Sequence, residues 1–333
     1  MVFYKKVFRS FIFPILIKIK IDRFFRYLSK NEKMIIMFHG VVENDSTFFS
    51  ARHIQVEQFE KIIKYIAHEF EIVTLENIFN NVSKKKSGKK QIAVTFDDGY
   101  LNNLYTALPI LEKYQIPTTF FISGVCLEDK KYILWSEFIA ALSYFNKTKE
   151  IEIEGELFHN LIRVKDGKEL YNIIKQMDYG LRDEYLNKIV KKFNLDSALK
   201  SLNDEIYVLM NSNQVAKLAE SSIVSIGSHG YFHYNLDQIK IEDAVIELNT
   251  SKQIIEKTIG KVIESIAFPD GAYNDLVKEE AKKIGYNYLC AVAYRHESDT
   301  SDKLIKQRHG ISSTTTYESN ILLLNYSFSK KGF

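Results

Sequence analysis

Two adjacent carboxylates and, far downstream, two histidines four positions apart are the side chains best placed to do chemistry in this chain. The carboxylates lie in Thr95-Phe96-Asp97-Asp98-Gly99-Tyr100 and the histidines in His229-Gly230-Tyr231-Phe232-His233. Asp98, His229 and His233 can together hold one divalent metal ion, and a two-His, one-carboxylate set leaves positions open for water and substrate. Asp97 is then free to act as general base, because successive side chains of an extended backbone point to opposite sides. A bound ion brings the pKa of its water toward about 7 and polarises a carbonyl oxygen, which is metal-assisted hydrolysis. Gly99 lets the chain turn away close to the ion. An Asp-Asp-Gly alone is a common turn and a spaced His pair is often only a helix face; the two together, each behind an apolar run, carry the reading.

Those apolar runs are the elements that must position the site. Met34 to Phe38, Gln91 to Phe96, Thr118 to Ile122, Ile223 to Ile226, Val262 to Phe268, Tyr286 to Val292 and a weaker stretch at 304–312 read as strands buried on both faces. Helical spacing falls between them, as at 54–69, where Phe59, Ile62, Ile63 and Ile66 share a face, and at 102–114, 240–259 and 273–284. Strands alternating with helices predict parallel β/α units. His39, Asp97, Asp98, His229, His233 and Asp270 all stand just after strands, which in a β/α barrel share one face. The expected fold is α/β, a deformed (β/α) barrel of about seven parallel strands over residues 34–320. Residues 127–218, rich in Lys, Glu, Asp and Leu, read as an inserted helical subdomain opening with Trp135, and 321–333 read as a C-terminal tail.

The net charge of +3 on 333 residues is too small to argue for nucleic acid. Cys126 and Cys290 sit among apolar neighbours and read as buried free thiols, so no disulfide framework points to an oxidising compartment. Residues 1–33 carry nine Lys and Arg against Asp22 and Glu32. Their apolar core, Phe11 to Ile17, is broken by Pro14 and is far shorter than the roughly 20 residues that span a bilayer. Three readings stand: an amphipathic segment lying on an anionic membrane face, a basic helix packed on the domain edge, or a secretory signal. The first implies a cytoplasmic protein at the inner face of the membrane, the last an exported one. Residues 83–90 (SKKKSGKK) read as a solvated connector, and His53, His68, His159 and His296 as surface residues. Oligomeric state leaves no mark in the sequence.

With these motifs in order, the chain resembles the polysaccharide deacetylase family, the NodB-homology or carbohydrate esterase 4 group, from residue 34 to residue 315. Thr95 to Tyr100 matches its T-F-D-D-G motif, and His229 to His233 its H-x-x-x-H, with Leu236 in the usual following position. Met37-Phe38-His39-Gly40-Val41, Leu108-Pro109-Ile110-Leu111 and Ile116 to Phe121 resemble further family stretches; Leu134-Trp135 and Tyr207 to Ser228 resemble a subgroup from bacterial surface-polysaccharide loci.

The resemblance implies metal-dependent hydrolysis of N-acetyl, sometimes O-acetyl, groups on a glycan or its precursor. It implies Asp97 as base, Asp98, His229 and His233 as ligands, and zinc as the metal, with cobalt, nickel or manganese as alternatives. A backbone N–H near Pro269-Asp270-Gly271 is the implied oxyanion donor. The sequence departs from the family in three places. The third motif, often R-x-P-Y, is Ala267-Phe268-Pro269-Asp270, so its arginine is missing and Arg308 is the candidate replacement. The late L-x-x-H histidine is absent at Gln307, and His309 is either the displaced acid or an exposed strand residue. Gly230 stands where a Ser or Thr is usual. His39 lines the site or caps a strand end, and Trp135 with the insert is expected to roof the site and contact substrate. An active N-deacetylase, a non-catalytic glycan-binding protein on the same scaffold and an O-acetyl esterase are the functional readings.

Overall fold

The computed structural model describes residues 12–29, 31–44, 49–80, 88–128, 132–146, 150–178 and 180–328. The apolar runs form strands β1 (Lys33–Phe38), β2 (Gln91–Phe96), β3 (Thr118–Ile122), β4 (Val224–Ser228), β5 (Ser265–Ala267) and β6 (Tyr288–Ala291), followed by two short pieces, β7 (Ile305–Gln307) and β8 (His309–Gly310). All pair in parallel, in the order β7-β6-β5-β4-β3-β2-β1-β8. The last stretch of chain closes the ring. Ile305 pairs with Leu289 of β6, and His309, four residues on, pairs with Ile36 of β1. Arg308 sits at that crossover. With β7 and β8 counted as one stave, this is the seven-strand deformed barrel expected from the alternation.

Burial explains the runs: every residue of β2 and β3 is buried. The helix Val56–Glu69 lays Phe59, Ile62, Ile63 and Ile66 on the barrel, each fully buried apolar side chain contributing roughly 1.5–3 kcal/mol. The expected C-terminal tail is instead the helix Tyr317–Ser327, which buries Ile321 and Leu324 in the barrel core. Phe328 beyond it stacks on Phe70 at 5.5 Å. These apolar side chains are too closely spaced for a solvated tail.

At the other end of the chain the helix Ile21–Leu28 packs on that C-terminal helix. Tyr65 donates to buried Asp22 at 2.6 Å, and Arg23 and Arg26 both pair with Glu69. Ile15, Ile19, Phe24, Tyr27 and Leu28 stay exposed. Residues 1–11 of the basic segment, and most of the basic connector, lie outside the described residues. Among the described residues no helix is long and apolar enough to cross a membrane. Cys126 and Cys290 are free and buried.

The insert is not purely helical. Helices Trp135–Phe145, Leu170–Lys175, Leu181–Phe193 and Leu195–Leu199 surround an antiparallel meander, Glu150–Ile153, Glu156–His159 and Ile162–Arg163. The meander is legible afterwards: Ile151 and Ile153 alternate with exposed glutamates. Glu154 (φ 49°) and Gly155 (φ 77°) then form a two-residue turn with both central residues left-handed, the hairpin type that matches strand twist. Leu142, Ile151, Phe158, Leu170, Ile189 and Leu195 make a second hydrophobic core, separate from the barrel's. The helix Ser212–Leu218, within the expected insert, buries Val215 and Leu218 in the barrel core instead.

Candidate active site

The metal-ligand candidates converge at the carboxyl ends of β2 and β4. Asp98 leaves β2 with φ 73°, which swings its carboxylate away from that of Asp97. Its Oδ1 lies 3.3 Å from Nε2 of His229 and 3.3 Å from Nε2 of His233. The three ligand atoms lie within 4.8 Å of one another and all three residues are buried. His229 Nδ1 donates to Ala267 O at 2.7 Å, which orients the ring and turns Nε2 toward Asp98. Two imidazole nitrogens and a carboxylate oxygen facing one point fit a divalent transition ion with open positions. Burial would raise the Asp98 carboxyl, but the bonds from His229 and His233 hold it well below the ordinary range.

Asp97 faces the other way, into a two-pronged contact. Arg308 donates Nη1 to Oδ1 at 2.6 Å and Nη2 to Oδ2 at 2.7 Å, and Nη1 also reaches Thr95 Oγ1 at 3.3 Å. Both partners are buried, in the paired fork geometry that distinguishes arginine from lysine. Asp97 Oδ2 lies 4.0 Å from His229 Nε2. Burial pushes its carboxyl up, yet Arg308 and His229 outweigh that and hold it below the usual value. Asp97 is therefore an ionised acceptor at neutral pH, beside the ligand set but not part of it.

The other residues singled out from sequence fall on both sides. The structure brings His39 to the cluster. Burial lowers its pKa against the opposing pull of Asp98 and Asp97, so the ring stays neutral. His309 is not brought there: its Nδ1 lies 2.9 Å from Ser327 Oγ on the C-terminal helix. As the neighbour of inward-facing Arg308 on an extended segment it must point outward, which removes it as the acid. Trp135 is buried in the insert's core, 4.8 Å from the Tyr171 ring, rather than presented to substrate. Asp270 (φ 54°) stands in the turn Pro269–Gly271, 3.2 Å from Lys175 Nζ of the insert. Gly271 (φ 64°) could not carry a side chain, since a Cβ would lie 2.8 Å from the Val292 backbone nitrogen. It donates its own N–H to Phe268 O at 2.8 Å, so the donor left in that turn for an oxyanion is Asp270 N–H.

Residues 84–155 and 179–289 match the family model described as "Polysaccharide deacetylase". The chain belongs to the polysaccharide deacetylase family. The protein is a hydrolase acting on carbon–nitrogen bonds, and the break in the match falls inside the insert. It is similar to the poly-beta-1,6-N-acetyl-D-glucosamine N-deacetylase of Staphylococcus aureus strain MSSA476, 23% identical over 274 residues covering 78% of this chain and 71% of the relative. A putative polysaccharide deacetylase, YxkH, of Bacillus subtilis is 29% identical over 102 residues, 30% of this chain and 34% of its own. Among solved structures, IcaB from Ammonifex degensii superposes with a TM-score of 0.57 at 13% identity, over 90% of this chain and 98% of that one. The Streptococcus pyogenes deacetylase PplD in complex with acetate gives 0.55 at 16%, over 87% and 96%. These likenesses show a shared fold.

Several polar residues around the site carry no sequence motif. Arg52 donates to Glu137 at 3.1 Å and Tyr100 donates to it at 2.8 Å, placing a fully buried carboxylate and a cation between barrel and insert. A glutamate on the apolar face of Trp135–Phe145 is the only hint the sequence holds of this pair. His53, expected at the surface, is buried. It lies 2.8 Å from Ile206 O, packs edge-on against Tyr100, and burial lowers its pKa to about 3. Its position on a short strand at the barrel–insert seam explains the difference.

Proposed function

We propose that the protein removes N-acetyl groups from a sugar of a bacterial surface polysaccharide or its precursor, with one divalent metal ion at Asp98, His229 and His233. The observation that carries this is the paired Arg308–Asp97 contact beside the three ligand candidates, which sets an oriented, ionised carboxylate next to an open metal position. When bound, zinc, or cobalt, nickel or manganese in its place, would acidify a water and polarise the amide carbonyl. Asp97 accepts the proton of the attacking water at whichever oxygen faces the ligand set, while Arg308 keeps the carboxylate from rotating. The same guanidinium makes protonated Asp97 a strong acid, suited to returning that proton to the leaving amine nitrogen. Asp270 N–H is the backbone donor for the carbonyl oxygen as it gains charge. Neutral His39 offers a hydrogen bond but no proton.

The relative's name supports a β-1,6-linked N-acetylglucosamine polymer as the first substrate to try. Acetate release from such oligomers, compared with O-acetylated sugars and repeated with a chelator, tests the reading. Chelator-sensitive release from the N-acetyl substrates is expected. Release from O-acetyl sugars alone would make the protein an esterase. Glycan binding without release, at saturating zinc or cobalt, would make it a binding protein on this scaffold.

Location is part of the same proposal. Exposed Ile15, Ile19, Phe24, Tyr27 and Leu28 beside Lys18 and Lys20 lead into the amino end of β1, opposite the site. Apolar side chains flanked by cations support peripheral contact with an anionic bilayer, and so a cytoplasmic precursor as substrate. Sedimentation with anionic but not neutral vesicles is the expected result; binding to neither removes the membrane from the account.

A further inference from the structure

The loop 229–234 must deliver His233 with φ 57°, a left-handed backbone that a non-glycine residue holds only where its surroundings over-determine it. The destinations of the loop's backbone hydrogen bonds identify those surroundings. At its near end the barrel holds it: His229 N–H donates to Ile122 O (2.8 Å), Gly124 N–H to Gly230 O (2.9 Å) and Val125 N–H to Tyr231 O (3.1 Å). In the middle, Glu247 of the barrel helix Ile241–Ile259 accepts from Tyr231 N–H (3.0 Å) and Phe232 N–H (2.9 Å). At the far end the partner comes from the insert. Arg182, in the first turn of Leu181–Phe193, donates to Phe232 O (3.0 Å) and to His233 O (3.2 Å).

Arg182 is only 2% exposed, and its guanidinium carbon stands 3.3 Å from the Tyr234 ring centroid. Among the described residues its nearest carboxylate contact, with Asp183, is 3.7 Å through Nε. A buried guanidinium is thus committed to two consecutive carbonyls of the ligand loop rather than to a paired acid, and its planar fork suits that task as an ammonium would not. A second thread runs alongside: Gly180 N–H donates to Tyr234 Oη at 3.2 Å. Among the described residues, His233 has no hydrogen-bond partner for its buried Nδ1, whereas His229 has Ala267 O. With no hydrogen bond at the far ring nitrogen, the His233 imidazole is placed by its backbone together with the Asp98 contact at Nε2 and the edge-on His229 ring.

We infer that Arg182 is a positioning residue for His233, through which the insert sets the ligand geometry of the metal site. The inference rests on the metal reading proposed above. It makes the insert more than a roof: displacing it moves one ligand of three and leaves the Asp97–Arg308 pair in place.

The test is a titration of cobalt(II) into the metal-free full-length parent, Arg182→Ala and Arg182→Lys, read by the visible cobalt spectrum and by competition with a chelator. The melting temperature of each metal-free protein is measured alongside. The expected result is cobalt bound about ten- to a hundredfold more weakly by Arg182→Ala, with a changed visible spectrum that added guanidinium partly restores. Arg182→Lys, which keeps charge and stem but not the fork, is expected to remain weaker than the parent. A folded Arg182→Ala with the parent's affinity and spectrum overturns the inference. If the alanine variant does not fold, parent-like binding by Arg182→Lys overturns it. A parent that takes up no cobalt overturns the metal reading and this inference with it, so the two failures are distinguishable.

Discussion

His229 and His233 face one carboxylate oxygen at the same 3.3 Å, yet different parts of the molecule hold them. His229 stands at a strand end, with its backbone N–H on Ile122 and its ring on Ala267, all within the barrel. His233 stands at the end of a loop in a strained conformation, with Arg182 of the insert on its carbonyl. The barrel supplies a fixed half-site, comprising Asp97, Arg308, Asp98 and His229. The second half is completed by a subdomain with its own core. A rigid strand-end constellation can thus be kept while the insert that closes over it varies, which is the usual division between barrel staves and the loops they carry.

The largest way to test that division is inside the barrel half. Asp97→Asn is expected to cut acetate release by about 10²–10⁴-fold while the metal stays bound, read by steady-state kinetics with metal analysis. A loss of metal in that variant would merge the two roles the structure separates. Arg308→Met leaves Asp97 buried and unpaired, at a cost of about 3–5 kcal/mol. The Asp97 carboxyl is depressed in the folded state, so its contribution is present above the ordinary carboxylate pKa and is lost as pH falls through the lower folded value. Urea unfolding should therefore separate parent and variant at pH 7 and bring them together in acid.

Along the loop that carries His233, burial is the first cause that raises the pKa of Glu247, on the barrel helix Ile241–Ile259, to about 7. A raised folded pKa gives stability that is full below the unfolded carboxylate pKa and is lost as pH rises through the folded one. Glu247→Gln keeps an oxygen for Tyr231 and Phe232 N–H but cannot ionise. The metal-free variant should lose the parent's decline between pH 4.5 and 7, a difference of roughly 3 kcal/mol at pH 8. The smallest effect is expected at His309→Ala, which should lose about 1 kcal/mol with its Ser327 contact and leave turnover unchanged. A large drop in turnover there would return His309 to the site.

The same boundary separates what the sequence reveals from what it hides. Asp97, Asp98, His229 and His233 were legible because each follows an apolar run whose burial sets its direction. Arg308 was legible as a replacement for the missing motif arginine, but not as the residue at the crossover that closes the ring. His309 misled because a two-residue offset in an extended segment leaves the face ambiguous until the pairing with β1 is known. The insert hid its contribution for a different reason. Arg182 lies on a helix whose charge looks like solvated surface, while Glu137 and Lys175 are lone charges on largely apolar helices, and all three acquire partners only when the second core folds against the barrel. The meander at 150–163 shows in the sequence only as a short alternation and a Glu-Gly turn, inside a stretch whose composition reads as helical. The C-terminal helix reads as a tail for a similar reason, since the barrel core that buries Ile321 and Leu324 is assembled from elements distant in the chain.

The central claim is that Asp98, His229 and His233 hold a metal that Asp97 serves as base. It is tested most directly by measuring bound zinc and acetate release together, from β-1,6-linked N-acetylglucosamine oligomers, for the parent, Asp97→Asn and His229→Ala. The account predicts zinc and acetate for the parent, zinc without acetate for Asp97→Asn, and neither for His229→Ala. Acetate released by a zinc-free His229→Ala variant, or at the parent's rate by Asp97→Asn, would contradict it.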